Sequence, residues 1–190
     1  MKVGLFFGSF NPLHIGHLIV AQAALNKTDL DKVWFVISPQ NPFKKKSSLA
    51  HEFDRYDMVK SAVENNPQFD LSDIAFHLST PSYTAITLTH LADKFKSYEF
   101  SLLIGEDNLT HFHKWKNCEE ILKYHRLLVY PRPDSSKEIH IEEKFFQRID
   151  APMVDISASY IRNLIKEKAP IRYLVPEGVE KIILERSLYE

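Results

Sequence analysis

The chain has 190 residues, room for one domain or for one domain with a small appendage. Apolar residues make up 44% and charged residues 26%, and 24 Lys and Arg against 25 Asp and Glu leave a net charge of −1, which excludes the broad basic surplus of a nucleic-acid-binding surface. Cys118 is the one cysteine, so no internal disulfide is expected; the apolar start at residues 3–7 is too short for a secretory signal and no apolar run approaches the ~18 residues of a membrane span, so the expected address is the cytoplasm.

In chain order, residues 3–7 read as a buried strand, after which Leu18, Ala21, Gln22 and Leu25 recur at helical spacing. Residues 33–37 form a second strand, rich in β-branched and aromatic side chains. The spacing predicts a helix over 51–65, with Phe53, Met58, Val59, Ala62 and Val63 on one side, and another over 84–95. A third strand at 100–104 ends at Gly105, a helix is expected over 115–124, and a fourth strand at 127–130 is stopped by Pro131 and Pro133. Residues 139–141 and 152–156 read as short strands around a helical segment at 142–149, and helices at 158–168 and 178–188 close the chain. Strands alternating with helices imply an α/β fold, a parallel sheet covered by helices on both faces. No repeat or linker breaks the chain, so residues 1–190 are expected to form one domain with a small C-terminal helical portion.

Chemistry concentrates at the first strand-to-helix junction, Gly8-Ser9-Phe10-Asn11-Pro12-Leu13-His14-Ile15-Gly16-His17. In an open parallel sheet, ligands bind beyond the carboxyl ends of the strands, where helix N-termini present free N–H groups. Gly8 permits a sharp turn and close approach of a phosphate. His14 and His17, three apart at a helix start, can face one ligand, and Gly16 between them leaves room for a flat ring or sugar. A second element is Ile156-Ser157-Ala158-Ser159-Tyr160-Ile161-Arg162. Ser157 stands where an N-cap belongs, with Ile161, Leu164 and Ile165 as the buried stripe behind it. Ser159 and Arg162 then lie beside the positive end of the helix dipole, and hydroxyl, N–H groups and guanidinium together suit an anion. His111-Phe112-His113 lacks a supporting Cys/His cluster and reads as surface, Cys118 reads as an inert thiol, and no P-loop motif is present.

The two elements together resemble the nucleotidylyltransferase superfamily with its His-x-Gly-His signature, and further segments resemble the bacterial-type nicotinate mononucleotide adenylyltransferases within it. Pro81-Ser82-Tyr83-Thr84 followed by Thr87-Leu88, Ile104-Gly105-Glu106-Asp107 with Trp115 downstream, and the closing Tyr173-Leu174-Val175-Pro176 and Ser187-Leu188-Tyr189 all match in collinear order over residues 1–189. Two departures stand out. Asn41-Pro42-Phe43-Lys44 has Phe43 where the family commonly has histidine, and Ala158-Ser159 replaces the usual Ser-Thr.

The resemblance implies a Rossmann-like doubly wound sheet and transfer of AMP from ATP to nicotinate mononucleotide, giving nicotinate adenine dinucleotide and pyrophosphate in NAD biosynthesis. It implies that His14, His17, Lys44 and Arg162 act on the triphosphate. Gly8, Ser9, Phe10, Gly16, Ser157 and Ser159 go to ATP binding, and Asn41, Tyr83, Thr84, Asp107 and Trp115 to the mononucleotide. A stacked indole over a pyridinium ring would be worth about 0.5–2 kcal/mol. Mg²⁺ is expected to arrive with ATP rather than in a protein metal cage. No nucleic-acid or membrane partner is implied, and self-association into a homo-oligomer stays open. The alternatives are a phosphopantetheine or nicotinamide mononucleotide adenylyltransferase and, from another class, an inactive nucleotide-binding module. The His-x-Gly-His spelling of aminoacyl-tRNA synthetases is set aside, because 190 residues lack the anticodon-binding mass and the Lys-rich second signature.

Overall fold

The computed structural model describes residues 1–39, 49–78, 83–132, 139 and 141–190. Six parallel strands form one sheet: β1 (Lys2–Gly8), β2 (Lys32–Ile37), β3 (Phe69–Ser72), β4 (Glu99–Gly105), β5 (Arg126–Tyr130) and β6 (Phe146–Arg148), in the spatial order β3-β2-β1-β4-β5-β6. The central strands are almost continuously apolar, as strands covered on both faces must be. The pleat divides them: Phe6, Val33, Phe35, Ile37, Leu103 and Leu128 point to one core, while Val3, Leu5, Trp34, Val36, Leu102 and Val129 point to the other. Helices α1 (Ile15–Lys27), α2 (Glu52–Val63), α6 (Ala158–Lys166) and α7 (Glu177–Glu185) cover the first face. Helices α3 (Thr84–Lys94), α4 (Glu106–Leu109) and α5 (Cys118–Tyr124) cover the second. The strand order reverses between β1 and β4, and that reversal opens a crevice at their carboxyl ends, the usual place for a ligand in such a sheet.

Several elements differ from the pattern expected of the sequence. β3 was not expected; its Phe-Asp-Leu-Ser lacks a strand signature, and the ladder with β2, from Val33 opposite Phe69 to Val36 opposite Ser72, is what makes it a strand. The segment 142–149 was expected to be helical, yet only a 3-10 turn forms at Glu143–Phe145 before β6 pairs with β5. β6 leaves Gln147 and Arg148 exposed and buries Phe146, so the open edge of β5 decides its conformation. Residues 152–156 form no strand, nor do 139 and 141; residue 140 lies outside the described residues. On α2 the inner face is Arg55, Met58, Val59 and Val63, whereas Phe53 is 62% exposed. On α1, Gln22 bonds Asn26 along the outer surface while Ala21, Ala24 and Leu25 face inward.

The C-terminal portion returns to the start of the chain. The Ile15 N–H donates to the Leu174 carbonyl at 3.0 Å, Arg186 reaches Asp54 at 2.6 Å and Asp57 at 2.7 Å on α2, and the segment before α6 lies on the first turn of α1. That last contact depends on Gly16: a Cβ there would stand 2.7 Å from Cγ2 of Ile156 and 3.1 Å from Nδ1 of His14. Gly16→Ala should therefore lower the melting temperature, because about 1–3 kcal/mol of overpacking outweighs about 0.5–1 kcal/mol of gained helix propensity. In an Ile156→Ala background the same change should be neutral or stabilising. A higher melting temperature for Gly16→Ala alone would show that the contact yields freely.

Candidate active site at the carboxyl ends of the central strands

The turn after β1 is built around an inward aromatic ring. Phe10 has a left-handed backbone (φ 44°) and is 2% exposed, and its ring packs edge-on against Phe6 and His17, with centroids 5.7 and 5.1 Å away. A Cβ on Gly8 would meet that ring at 2.8 Å, so Gly8 makes room for Phe10 as well as for the turn. The Phe10 side chain thus belongs to the core, and only its main chain is available to a ligand. Gly16 likewise holds no open shelf for a flat ring, since Ile156 and the His14 imidazole fill the space above it.

His14 caps α1 and His17 sits three residues into the structure it begins. The His17 N–H donates to the His14 carbonyl at 2.9 Å, and the His14 N–H donates to Nδ1 of His17 at 3.2 Å. Because Nδ1 of His17 accepts, its proton resides on Nε2, the atom turned away from the helix start. The two rings stack at 3.7 Å between centroids with 29° between planes. His14 is 4% exposed and its Nδ1 has no hydrogen-bond partner among the described residues. Burial first, and the nearby Arg132 guanidinium second, lower its pKa to about 4, so the ring is neutral at neutral pH.

His14, His17, Phe6, Tyr130, Arg132 and Ile156 line one cleft at this end of the sheet. Arg132, just past β5, was not singled out from the sequence, where Pro131 and Pro133 marked only a strand end. Its guanidinium lies 5.2 Å from the centroid of the Tyr130 ring and donates to the Tyr130 hydroxyl at 3.3 Å. A cation immediately beyond a buried parallel strand was the signal that could have found it. Arg162, on α6, donates to the Asn11 carbonyl at 2.7 Å and to the Ser159 hydroxyl at 3.0 Å. Ser157 caps α6 as expected, its hydroxyl accepting from the Tyr160 N–H at 3.2 Å. Asn11 joins four segments: its side-chain oxygen accepts from the Ala50 N–H at 3.0 Å and from the Tyr189 hydroxyl at 2.9 Å, while its carbonyl holds Arg162.

The second set of residues gathers around α3 and the segment after α4. Tyr83 and Thr84 begin α3, and the Trp115 ring packs on Phe112 with centroids 5.0 Å apart. Lys116 places its ammonium 4.4 Å from the centroid of the Tyr83 ring, so the tertiary structure brings to this helix start a cation that sequence order does not. Asp107 is exposed on α4, 3.9 Å from Nε of Arg132, which links this side to the cleft. Asn41, Phe43, Lys44, Pro81 and Ser82 lie outside the described residues. His111 and His113 are exposed on either side of the buried Phe112. Among the described residues no group of three or more His, Cys, Asp or Glu side chains is placed to hold a metal ion, and no helix is long and apolar enough to cross a membrane.

The sequence and the fold have close counterparts. Residues 5–164 match the cytidylyltransferase-like family. A protein of Cytophaga hutchinsonii named "probable nicotinate-nucleotide adenylyltransferase" is 57% identical over 189 residues, covering 100% of this chain and 98% of the relative. Its namesake in Flavobacterium psychrophilum is 48% identical over 192 residues, covering 100% of both chains. Among solved structures, the Plasmodium falciparum nicotinic acid mononucleotide adenylyltransferase complexed with NaAD superposes with a TM-score of 0.77 over 99% of this chain and 97% of that one, at 18% identity, a likeness of fold. The chain belongs to the cytidylyltransferase-like family and, within it, stands with the nicotinate-nucleotide adenylyltransferases.

Proposed function

We propose that the protein transfers the adenylyl group of ATP to nicotinate mononucleotide, forming nicotinate adenine dinucleotide and pyrophosphate. The observation that carries this reading is the buried Nδ1 of His14, unsatisfied on the wall of a cleft it shares with His17 and Arg132. A buried polar atom without a partner is costly and is characteristic of a site that awaits a ligand. The identity to the named relatives supports the choice of substrates.

The chemistry asks little of the enzyme beyond position and charge. An oxygen of the mononucleotide 5′-phosphate, ionised at neutral pH, attacks the α-phosphorus of ATP and forms the new P–O bond. The bond from the α-phosphorus to the bridging oxygen breaks, and its electron pair leaves with pyrophosphate. No proton must move, so catalysis rests on alignment and on stabilising charge as it builds on the leaving group. In this reading Nδ1 of His14, Nε2–H of His17, the Arg132 guanidinium and the donors of Arg162 not used on Asn11 and Ser159 face the triphosphate of MgATP. Lys44 is assigned to the same anion. The main chain of Gly8, Ser9 and Phe10 and the capped start of α6 complete that side. Tyr83, Thr84, Asp107 and Trp115 are assigned to the mononucleotide, together with Asn41. The N–H groups opening α3 suit the nicotinate carboxylate, and Lys116, over the ring of the capping Tyr83, adds a cation on that side.

His17→Ala should lower kcat by about 10²–10³-fold, the usual loss of one preorganised donor to a transition-state anion, with a much smaller effect on ATP affinity. Steady-state kinetics check this, and a variant keeping more than about half of the natural turnover removes His17 from the transition state.

His14 gives the site a pH signature. Its pKa falls from 6.5 in a free chain to about 4 here, so between those values the unfolded chain binds a proton that the folded ring refuses. Its contribution is complete above pH 6.5 and drains away as pH falls toward about 4, on the order of 3 kcal/mol in all. A His14→Gln variant, which does not titrate, should lose less stability than the natural protein over that range in pH-dependent melting. Parallel losses in the two proteins would contradict the buried, neutral state.

Mass spectrometry after incubation with MgATP and each pyridine mononucleotide tests the reaction, and kcat/KM for the two ranks them. The nicotinate form should win, and Lys116→Met should shrink its advantage by up to about fivefold, the scale of one exposed charge pair. A natural protein that prefers the amide overturns the nicotinate assignment. An unchanged ratio in the variant removes Lys116 from it.

A further inference from the structure

Arg55 is a buried cation that the proposed reaction does not use. It lies near the start of α2, is 1% exposed, and spends its guanidinium on four main-chain carbonyls. Nε donates to Ala50 at 3.1 Å, one terminal nitrogen donates to both Ser9 and Ser38 at 2.8 Å, and the other donates to Pro39 at 2.9 Å. Burial pushes its pKa down, countered by the surroundings of Tyr189 and Glu52. A lone guanidinium is an expensive way to stabilise a core, and a planar fork is required to reach acceptors from three separate segments at once.

Those acceptors have a common location. Ser9 follows β1 and Ser38 and Pro39 follow β2, so Arg55 ties together the carboxyl ends of two adjacent central strands. Pro39 and Ala50 also stand on either side of residues 40–48, which include Lys44. Through Ala50 the network continues: the Ala50 N–H donates to Asn11, and the Asn11 carbonyl accepts from Arg162. Three hydrogen bonds, joined covalently through Ala50 and Asn11, therefore link the buried guanidinium to the one on α6.

The bond to Ser9 does the most specific work. The Ser9–Phe10 peptide is trans, so with its carbonyl held by Arg55 its N–H must point away from the guanidinium. The next residue, Phe10, is in the left-handed region, a conformation that persists in a bulky residue only when its neighbours fix it. We propose that Arg55 is a positioning residue for adenylyl transfer: it sets the orientation of the Ser9–Phe10 peptide and holds both flanks of residues 40–48 in register with that turn.

This inference rests on the adenylyl-transfer reading, and the test separates the two. Arg55→Lys keeps the charge but replaces the fork by a point donor that cannot serve three segments. Assayed well below its melting temperature, the variant should show an ATP KM raised by about tenfold and kcat lowered by about tenfold, with the KM for nicotinate mononucleotide within about twofold of the natural value. A variant that melts earlier but turns over normally per folded molecule, with both constants unchanged, overturns the proposal as a matter of packing alone.

A second measurement needs no variant and covers the case in which Arg55→Lys does not fold or the natural protein shows no turnover. In ¹⁵N-resolved spectra of the natural protein, solvent exchange of the Arg55 Nε–H should slow by about tenfold on saturation with a non-hydrolysable ATP analogue, and hardly change with the mononucleotide alone. Unaltered exchange with the analogue overturns the proposal. Lack of turnover by the natural protein would strike the adenylyl-transfer reading and leave this exchange result to decide Arg55.

Discussion

Parallel strands that stop at the same end of a sheet leave main-chain carbonyls without a further strand to receive them, and buried carbonyls must find donors. Here the Arg55 guanidinium supplies them for Ser9, Ser38 and Pro39, beyond β1 and β2. The turn that carries Phe10, Asn11 and His14 is built on that anchorage. Without it the left-handed Phe10 would have little reason to keep its ring between Phe6, Phe35 and His17. The paired histidines follow from the same turn, since His17 packs on that ring and stacks on His14.

A second layer of constraint comes from the far end of the chain. Asn11 is 5% exposed and receives hydrogen bonds from Arg162 on α6, from Ala50, two residues before α2, and from Tyr189, the next-to-last residue. Burial raises the pKa of the Tyr189 hydroxyl, which keeps it a neutral donor to Asn11. Arg186 fastens the same portion to α2 through Asp54 and Asp57. The first turn and the last residues thus share one polar hub, so substitutions near residue 189 should be judged by their effect on the site as much as by their effect on α7.

Charge is distributed in the same economical way. The chain as a whole carries a net charge of −1, yet its cleft combines Arg132 with two histidines, one of which burial keeps neutral. A neutral His14 adds a directed polar atom without adding to the repulsion between neighbouring cations. A site that binds two polyanions can draw on local cations and oriented N–H groups without any general excess of Lys and Arg.

Much of this protein was legible in its sequence. The strongly apolar runs at 3–7, 33–37, 100–104 and 127–130 can bury themselves only as central strands, and their alternation with amphipathic stretches fixes a doubly wound sheet. The turn from Gly8 to His17 and the Ser157 cap are local chemistry, written in adjacent residues, and both stand where local rules put them. Tertiary structure decided what neighbours decide. β3 and β6 exist because β2 and β5 offer open edges, though Phe-Asp-Leu-Ser and Phe-Gln-Arg carry little strand signal of their own. Arg55 took the buried face of α2 that Phe53 seemed to claim, because four carbonyls from distant segments converge there and hydropathy cannot register them. Arg132 joined His14 in one cleft across 118 positions, and Lys116 reached the Tyr83 ring across 33. Proximity of this kind is set by how strands and helices are ordered in space, and sequence spacing does not encode it.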